Sequence, residues 1–164
     1  MKSMSRSHSE PRDAIELLRA QHDEIEDLFE VLVRVPSSAP AGVLVPELAD
    51  LCAVHLAIEE RIFYPGIGWA PSEDHGETEG LLAAIVDADR KNAPLIELAR
   101  RAGAQLRVHA RLQERRVFPY ARRSLDAVRL RRLAYEMRVL EFELRTNMNL
   151  RVGAASAAVQ PALA

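Results

Sequence analysis

The sequence predicts an all-α protein, an antiparallel up-down four-helix bundle with an additional C-terminal helix. Glycine is scarce, with seven in 164 residues, and no alternation typical of β-strands persists. Apolar residues recur instead at steps of three and four through five stretches of the chain. Because short loops join the first four stretches, antiparallel packing of these helices is the expected arrangement.

The first predicted helix runs from about Pro11 to Val35 and the second from about Val43 to Tyr64. Pro11 suits the opening turn of a helix, and Pro36 and Pro65 are predicted to end the two helices. The apolar stripes of these helices are Ile15, Leu18, His22, Ile25, Phe29 and Leu32, and Leu44, Leu48, Leu51, His55, Ile58 and Ile62.

The third predicted helix starts at Ser72 and runs to about Lys91, the fourth continues from Pro94 to about Phe118, and the fifth spans about Leu125 to Leu150. Acidic residues at positions 73 and 74 suit the positive end of the third helix. Pro119 is predicted to end the fourth helix. The fifth helix carries two adjacent apolar stripes, which favours packing across the bundle or packing in a homodimer interface.

Composition indicates a soluble folded chain, with 48% hydrophobic and 28% charged residues. Residues 11–150 are the predicted domain, between a flexible leader (1–10) and a flexible tail (151–164). No apolar run approaches the roughly 18 residues of a membrane span, and the N-terminal residues lack the apolar segment of a signal peptide, so a cytoplasmic location is expected. Aromatic residues make up only 5%, which does not favour nucleic acid as a partner.

Four of the five histidines lie at core positions, one on each of the first four predicted helices. One core histidine is usually satisfied by a single hydrogen bond, but four buried imidazoles are difficult to satisfy in one small core. Glu59 follows His55 by four residues, and Glu79 follows His75 by four, which puts each pair on one helix face. Inward-facing His and Glu residues hold two metal ions in known bundles, and mixed nitrogen and oxygen ligands suit redox iron.

The chain also contains an internal repeat. The segment HLAIEERIFYP (55–65) is similar to HARLQERRVFP (109–119), with a histidine, an acidic doublet or its remnant, and an aromatic residue before proline. The histidine spacing is 33 residues between His22 and His55 and 34 between His75 and His109. Two helical hairpins that each contribute a pair of ligand helices would build a site with pseudo-twofold symmetry.

Four motifs resemble the hemerythrin-like, or HHE cation-binding, family: AQHDEIEDLFE, HLAIEERIFYP, EDHGETEGLL and HARLQERRVFP. They span roughly residues 12 to 120, in the order of the family. The resemblance implies a four-helix bundle around two non-haem iron ions bridged by oxygen and carboxylates. It implies Glu59 as a bridging carboxylate and, as the histidine ligands, His22, His55, His75 and His109.

One position departs from the family pattern. Many members have glutamate four residues after the fourth-helix histidine, where this chain has Gln113. Glu114 has the spacing of the last carboxylate in hemerythrins, although five residues correspond to about 140° around a helix and four to about 40°. Glu79 has the spacing of a further third-helix ligand. Glu59, Glu114 and Glu79 are therefore the predicted carboxylate ligands, and Gln113 either coordinates weakly or holds a bound water.

The resemblance implies a protein that binds dioxygen, nitric oxide or peroxide at the iron centre, for storage, delivery or sensing. Three alternatives stay open: a di-iron enzyme that decomposes peroxide, a protein that handles iron, and a metal-free helical interaction module. The sequence leaves open whether the chain is an enzyme. A homodimer through the C-terminal helix is a further expectation.

Overall fold

The computed structural model describes residues 11–34, 43–70, 76–91 and 95–159, and every regular element in these ranges is helical. The all-α prediction is therefore confirmed for the described residues, where no helix is both long and apolar enough to span a membrane. Two five-residue π-helical turns lie between these helices. The helices are α1 (Ala14–Arg34), α2 (Leu44–Ile58), α3 (Tyr64–Ile67), α4 (Gly76–Arg90), α5 (Ile96–Leu112), α6 (Phe118–Ser124) and α7 (Ala127–Val159), and the π turns are Glu59–Phe63 and Gln113–Val117.

Helices α1, α2, α4 and α5 form a closed ring of contacts. Helix α1 packs against α2 and α5, and α4 packs against the same two helices. Helix α7 packs across this ring, against α1, α2 and the first π turn. The ring is consistent with the predicted bundle, whereas the antiparallel order of its helices stays a prediction.

Side-chain caps decide where two of the helices begin. The carboxylate of Asp13 accepts hydrogen bonds from the backbone N–H groups of Ile15 at 3.0 Å and Glu16 at 2.9 Å, so α1 begins after Pro11. Asp126 caps α7 in the same way, through the N–H of Arg129 at 2.8 Å. The boundaries predicted at Pro36, Ser72 and Pro94 lie outside the described residues. Helix α7 continues past its predicted end at Leu150.

The prediction that Pro65 and Pro119 end helices is wrong, because the chain stays helical to Ile67 and Ser124. Proline lacks an N–H donor, and its ring crowds the carbonyl group four residues earlier. In both segments, a π turn ends two residues before the proline and widens the helix at that point. The two π turns begin at equivalent positions of the internal repeat, so the repeat is present in the backbone structure as well as in the sequence.

The buried apolar residues form two clusters that succeed each other along the helices. On α1, Leu18 belongs to the first cluster and Ile25 to the second. Gln21 and His22 lie between them, at a level where polar side chains enter the core. The first cluster also contains Phe63, Phe118 and Met137, and the second also contains Phe29, Leu51, Ile85 and Leu106.

Helix α7 has one buried face and one exposed apolar face. Leu130, Leu133 and Met137 are buried against the bundle, whereas Tyr135 is 68% exposed and Phe142 is 72% exposed. Packing of this helix on the bundle is therefore observed. The exposed face is the surface that the predicted homodimer would use, and that dimer stays a prediction.

Candidate metal centre

Three imidazoles and one carboxylate meet in the polar layer between the two apolar clusters. His22 comes from α1, His55 from α2, Glu59 from the first π turn and His109 from α5. One donor atom of each residue lies within 4.8 Å of the donor atoms of the others. His55 and Glu59 are fully buried, His109 is 6% exposed and His22 is partly buried. The structure thus brings together four of the seven predicted ligands.

The three rings form a compact triangle. Their centroids are 4.8 Å apart for His22 and His55, and 5.8 Å apart for His109 and each of the other two. With metal–nitrogen bonds of about 2.1 Å, neighbouring donors of a tetrahedral ion lie about 3.4 Å apart. The four donor atoms, which lie within 4.8 Å of one another, would therefore have to approach each other by at most about 1.4 Å to surround one ion.

Glu59 is the centre of the polar contacts in this layer. Its Oε1 lies 3.2 Å from Nε2 of His55, and its Oε2 lies 3.2 Å from Nε2 of His109. The amide of Gln113 donates a hydrogen bond to Oε1, and the hydroxyl of Tyr64 donates one to Oε2 at 3.4 Å. Every oxygen of this buried carboxylate therefore faces nitrogen or hydroxyl groups.

The charges of the cluster suit a cation. Burial alone would raise the pKa of Glu59, but the neighbouring imidazoles of His55 and His109 outweigh burial and hold that pKa well below its usual value. Burial, together with repulsion from His55, lowers the pKa of His22 to about 3. The cluster therefore presents an anionic carboxylate beside a neutral imidazole, and neutral imidazole is the form that binds metals.

Gln21 favours one tautomer of His55. Its side-chain carbonyl Oε1 lies 3.0 Å from Nδ1 of His55, and a proton on Nδ1 of the neutral ring would complete a hydrogen bond between them. Nε2 then presents a lone pair, which faces an oxygen of Glu59 at 3.2 Å. Two acceptors at this distance repel each other unless a cation or a proton lies between them. Gln21 is 5% exposed, and sequence reasoning missed it although it lies three residues after Leu18, on the buried stripe.

Unpartnered buried nitrogens point to the same conclusion. Among the described residues, three side-chain nitrogens are buried without a hydrogen-bond partner: Nε2 of His22, Nε2 of His55 and Nε2 of Gln21. Buried polar atoms in folded proteins are nearly always paired, so an unpaired atom calls for an unseen partner. A cation bound by the lone pairs of the two histidines would supply that partner to both rings.

Tyr64 belongs to the site as well as to the core. The sequence favours bundle-end packing for Tyr64, and its ring is only 4% exposed within the first apolar cluster. Its hydroxyl nevertheless reaches Glu59 and accepts a hydrogen bond from Nε2 of Gln113 at 2.8 Å. Tyr64 follows Glu59 by five residues. A π turn brings residues at this spacing to the same side of the helix, whereas an α turn does not. The sequence alone gives no signal for this contact, because it does not reveal the π turn.

The remaining predicted ligands lie elsewhere. Glu114 is exposed, and both of its oxygens accept hydrogen bonds from Arg19 at 2.6 Å. Glu79 is exposed on α4. The structure does not bring these two carboxylates into the cluster, and their roles as ligands stay predictions. His75 lies outside the described residues.

Comparison with known proteins identifies the segment that carries the first part of the cluster. Residues 13–79 match the family model of the Hemerythrin HHE cation binding domain, which confirms the resemblance for this part of the chain. The matched segment includes His22, His55 and Glu59, and His109 lies beyond it. Neither the curated proteins nor the solved structures give a match to this chain.

Proposed function

We propose that this protein binds non-haem iron through four residues, His22, His55, His109 and Glu59. The proposal is supported by the match of residues 13–79 to a cation-binding domain of hemerythrin type. At that iron it would bind a small oxidant or gas: dioxygen, nitric oxide or peroxide. The observation that carries the proposal is the convergence of these four donor groups within 4.8 Å of one another, with Nε2 of His22 and Nε2 of His55 buried without a hydrogen-bond partner.

The donor set supports iron in particular. Three imidazoles and one carboxylate are ligands of intermediate hardness, which suit iron, and four protein donors leave coordination positions open. Bound iron supplies redox chemistry and an open position for an exogenous ligand. The surrounding residues hold the donors in place: Gln21 orients His55, and Gln113 and Tyr64 hydrogen-bond to Glu59.

A small cavity beside His22 supports a small ligand. Its volume is about 30 Å³, and most of its lining is apolar, from Ile25, Phe29, Gly103 and Leu106 among others. A cavity of about 10–15 Å³ suffices for one water molecule, so this cavity is large enough for a diatomic molecule. A wider groove of about 270 Å³ also reaches His22, from the surface where Glu114 lies. The small cavity favours a gas or peroxide over a larger substrate, and the wider groove would give such a ligand a route from the surface.

Metal content and absorption together test the proposal. Purified from iron-supplied cells, the protein is expected to retain iron and to show a charge-transfer band in air that reverses under argon. His109→Ala should lose the band and most of the iron, because it removes a buried ligand. The matched control is His8→Ala, because the sequence assigns no role to His8. This variant should retain both the absorption band and the iron.

Three outcomes would count against the proposal. Protein without iron, whose melting temperature is unchanged by chelator, would exclude a metal-stabilised fold, since a ligand specific to the folded state raises its stability. Many irons per chain would indicate storage. Evolution of dioxygen from peroxide, abolished by His109→Ala, would indicate the enzyme instead of the binding protein.

Access to the site gives a separate prediction. Ala110 lines both the small cavity and the wider groove. Ala110→Leu should slow the association of nitric oxide with the reduced protein severalfold, because the larger side chain narrows the passage, while iron content stays unchanged. Stopped-flow absorption measures the rate. An unchanged rate with a folded, iron-loaded variant would place the entry route elsewhere.

A further inference from the structure

Gln113 occupies the position that corresponds to Glu59 in the internal repeat. His55 and Pro65 of the first segment correspond to His109 and Pro119 of the second, and the two π turns begin at Glu59 and at Gln113. The repeat is therefore symmetric in backbone geometry but asymmetric in charge at its centre. Glu59 supplies a carboxylate, and Gln113 supplies a neutral amide.

The contacts of Gln113 show what this substitution does. Its side chain is 1% exposed, and its Nε2 donates hydrogen bonds to Oε1 of Glu59 and to the hydroxyl of Tyr64. One lone pair of Oε1 is therefore already used by an N–H donor and is not available to bridge to a second cation. The amide oxygen of Gln113 is buried without a hydrogen-bond partner among the described residues. As a metal ligand, this oxygen would be neutral and would add no negative charge.

Charge decides how many cations this core can hold. Among the described residues, the cluster contains one carboxylate, so with protein ligands alone a single divalent ion leaves one net positive charge and two such ions would leave three. Excess charge in an apolar core is strongly unfavourable unless it is paired. Glu114 does not relieve the excess, because it is exposed and held by Arg19 at 2.6 Å. Glu79 is exposed on α4, and His75 would add only a neutral donor.

We propose that the cluster of His22, His55, His109 and Glu59 holds one divalent cation, and that Gln113 is the residue that limits the number to one. The inference rests on the proposed function, because it requires a metal at this cluster. It departs from the two bridged irons that the family resemblance implies. The four donor atoms, within 4.8 Å of one another, can all bind the same ion, which leaves a second ion few protein ligands of its own.

Metal stoichiometry tests the inference without any measurement of activity. The full chain is stripped with chelator, reloaded anaerobically with Fe²⁺ and, separately, with Co²⁺, desalted and analysed for metal per chain. The wild-type protein should retain one ion. Gln113→Glu should approach two, because it restores the second carboxylate at the symmetric position. Gln105→Glu is the matched control, since it makes the same change on α5 outside the cluster, and it should retain one.

A variant in which the two residues are exchanged keeps the inference testable if Gln113→Glu folds poorly. Glu59→Gln combined with Gln113→Glu keeps one carboxylate in the layer and should retain one ion. Two ions in the wild-type protein would overturn the inference and leave the proposed function intact. One ion in a folded Gln113→Glu variant would overturn the role of Gln113. No ion in any variant would overturn both proposals.

Discussion

Replacing Glu59 with glutamine is expected to weaken Fe²⁺ binding by more than about 100-fold, since loss of residues that only support ligands already costs about 10- to 100-fold. Glu59 is the only carboxylate among the four clustered donors, and it is fully buried. Its replacement therefore leaves a dication in an apolar core with no negative charge beside it. Competition with a chelator of known affinity measures the change.

Glu60→Gln is the matched control for this prediction. It makes the same chemical change at the adjacent, exposed position and should leave affinity within about threefold, as for surface substitutions that cost under 0.5 kcal/mol. Glu114→Gln distinguishes the two candidate carboxylates. A loss as large as that of Glu59→Gln would mean that Glu114 leaves Arg19 and turns inward when metal binds. A small loss for Glu59→Gln would contradict the assignment of the cluster as the metal site.

Phe118→Ala is expected to destabilise the metal-free protein by about 3–5 kcal/mol, the range observed when buried aromatic side chains are truncated. Phe118 is 1% exposed, and its ring centroid lies 6.1 Å from that of Phe63 and 6.2 Å from that of His22. The guanidinium of Arg19 lies 5.5 Å from the ring centroid, on the surface side. The substitution leaves a cavity between the first apolar cluster and the polar layer, and the melting temperature should fall by about 10 °C.

Chemical denaturation with Phe142→Ala as the control tests this prediction. Phe142 is 72% exposed on α7, so the same truncation should change the free energy of unfolding of the monomer by less than about 0.5 kcal/mol. A loss below about 1 kcal/mol for Phe118→Ala would mean that the core is looser at this point than the structure shows. If the loss for Phe142→Ala grows with protein concentration, the predicted homodimer gains support, because an interface stabilises only the assembled protein.

The buried face of each helix follows directly from residue spacing. Ile15, Ile25 and Phe29 belong to the predicted stripe of α1 and are at most 2% exposed. The repeat of 3.6 residues per turn is a local property, so it can be counted along the chain. The same count places His55 and Glu59 on one face and predicts that both turn inward.

The choice between Gln113 and Glu114 shows where spacing fails. Both positions follow His109 closely enough to be candidates, and the family pattern admits either. In the structure, Gln113 is buried against Glu59 and Glu114 pairs with Arg19 at the surface. Adjacent residues of a helix point about 100° apart, and the π turn that begins at Gln113 alters the register of those that follow.

Residue type and the helical period of 3.6 residues determine three features before the chain folds. These are the helical fold class, the helix faces that carry the histidines and the resemblance to a cation-binding family. Gln113 and Glu59 are 54 positions apart, and Arg19 and Glu114 are 95 apart. These pairs form only when the helices pack against each other. The same is true of the π turns before the prolines and of the positions of Tyr64 and Gln21 beside the cluster. Contacts at such separations depend on the relative rotation of neighbouring helices, which no local pattern specifies.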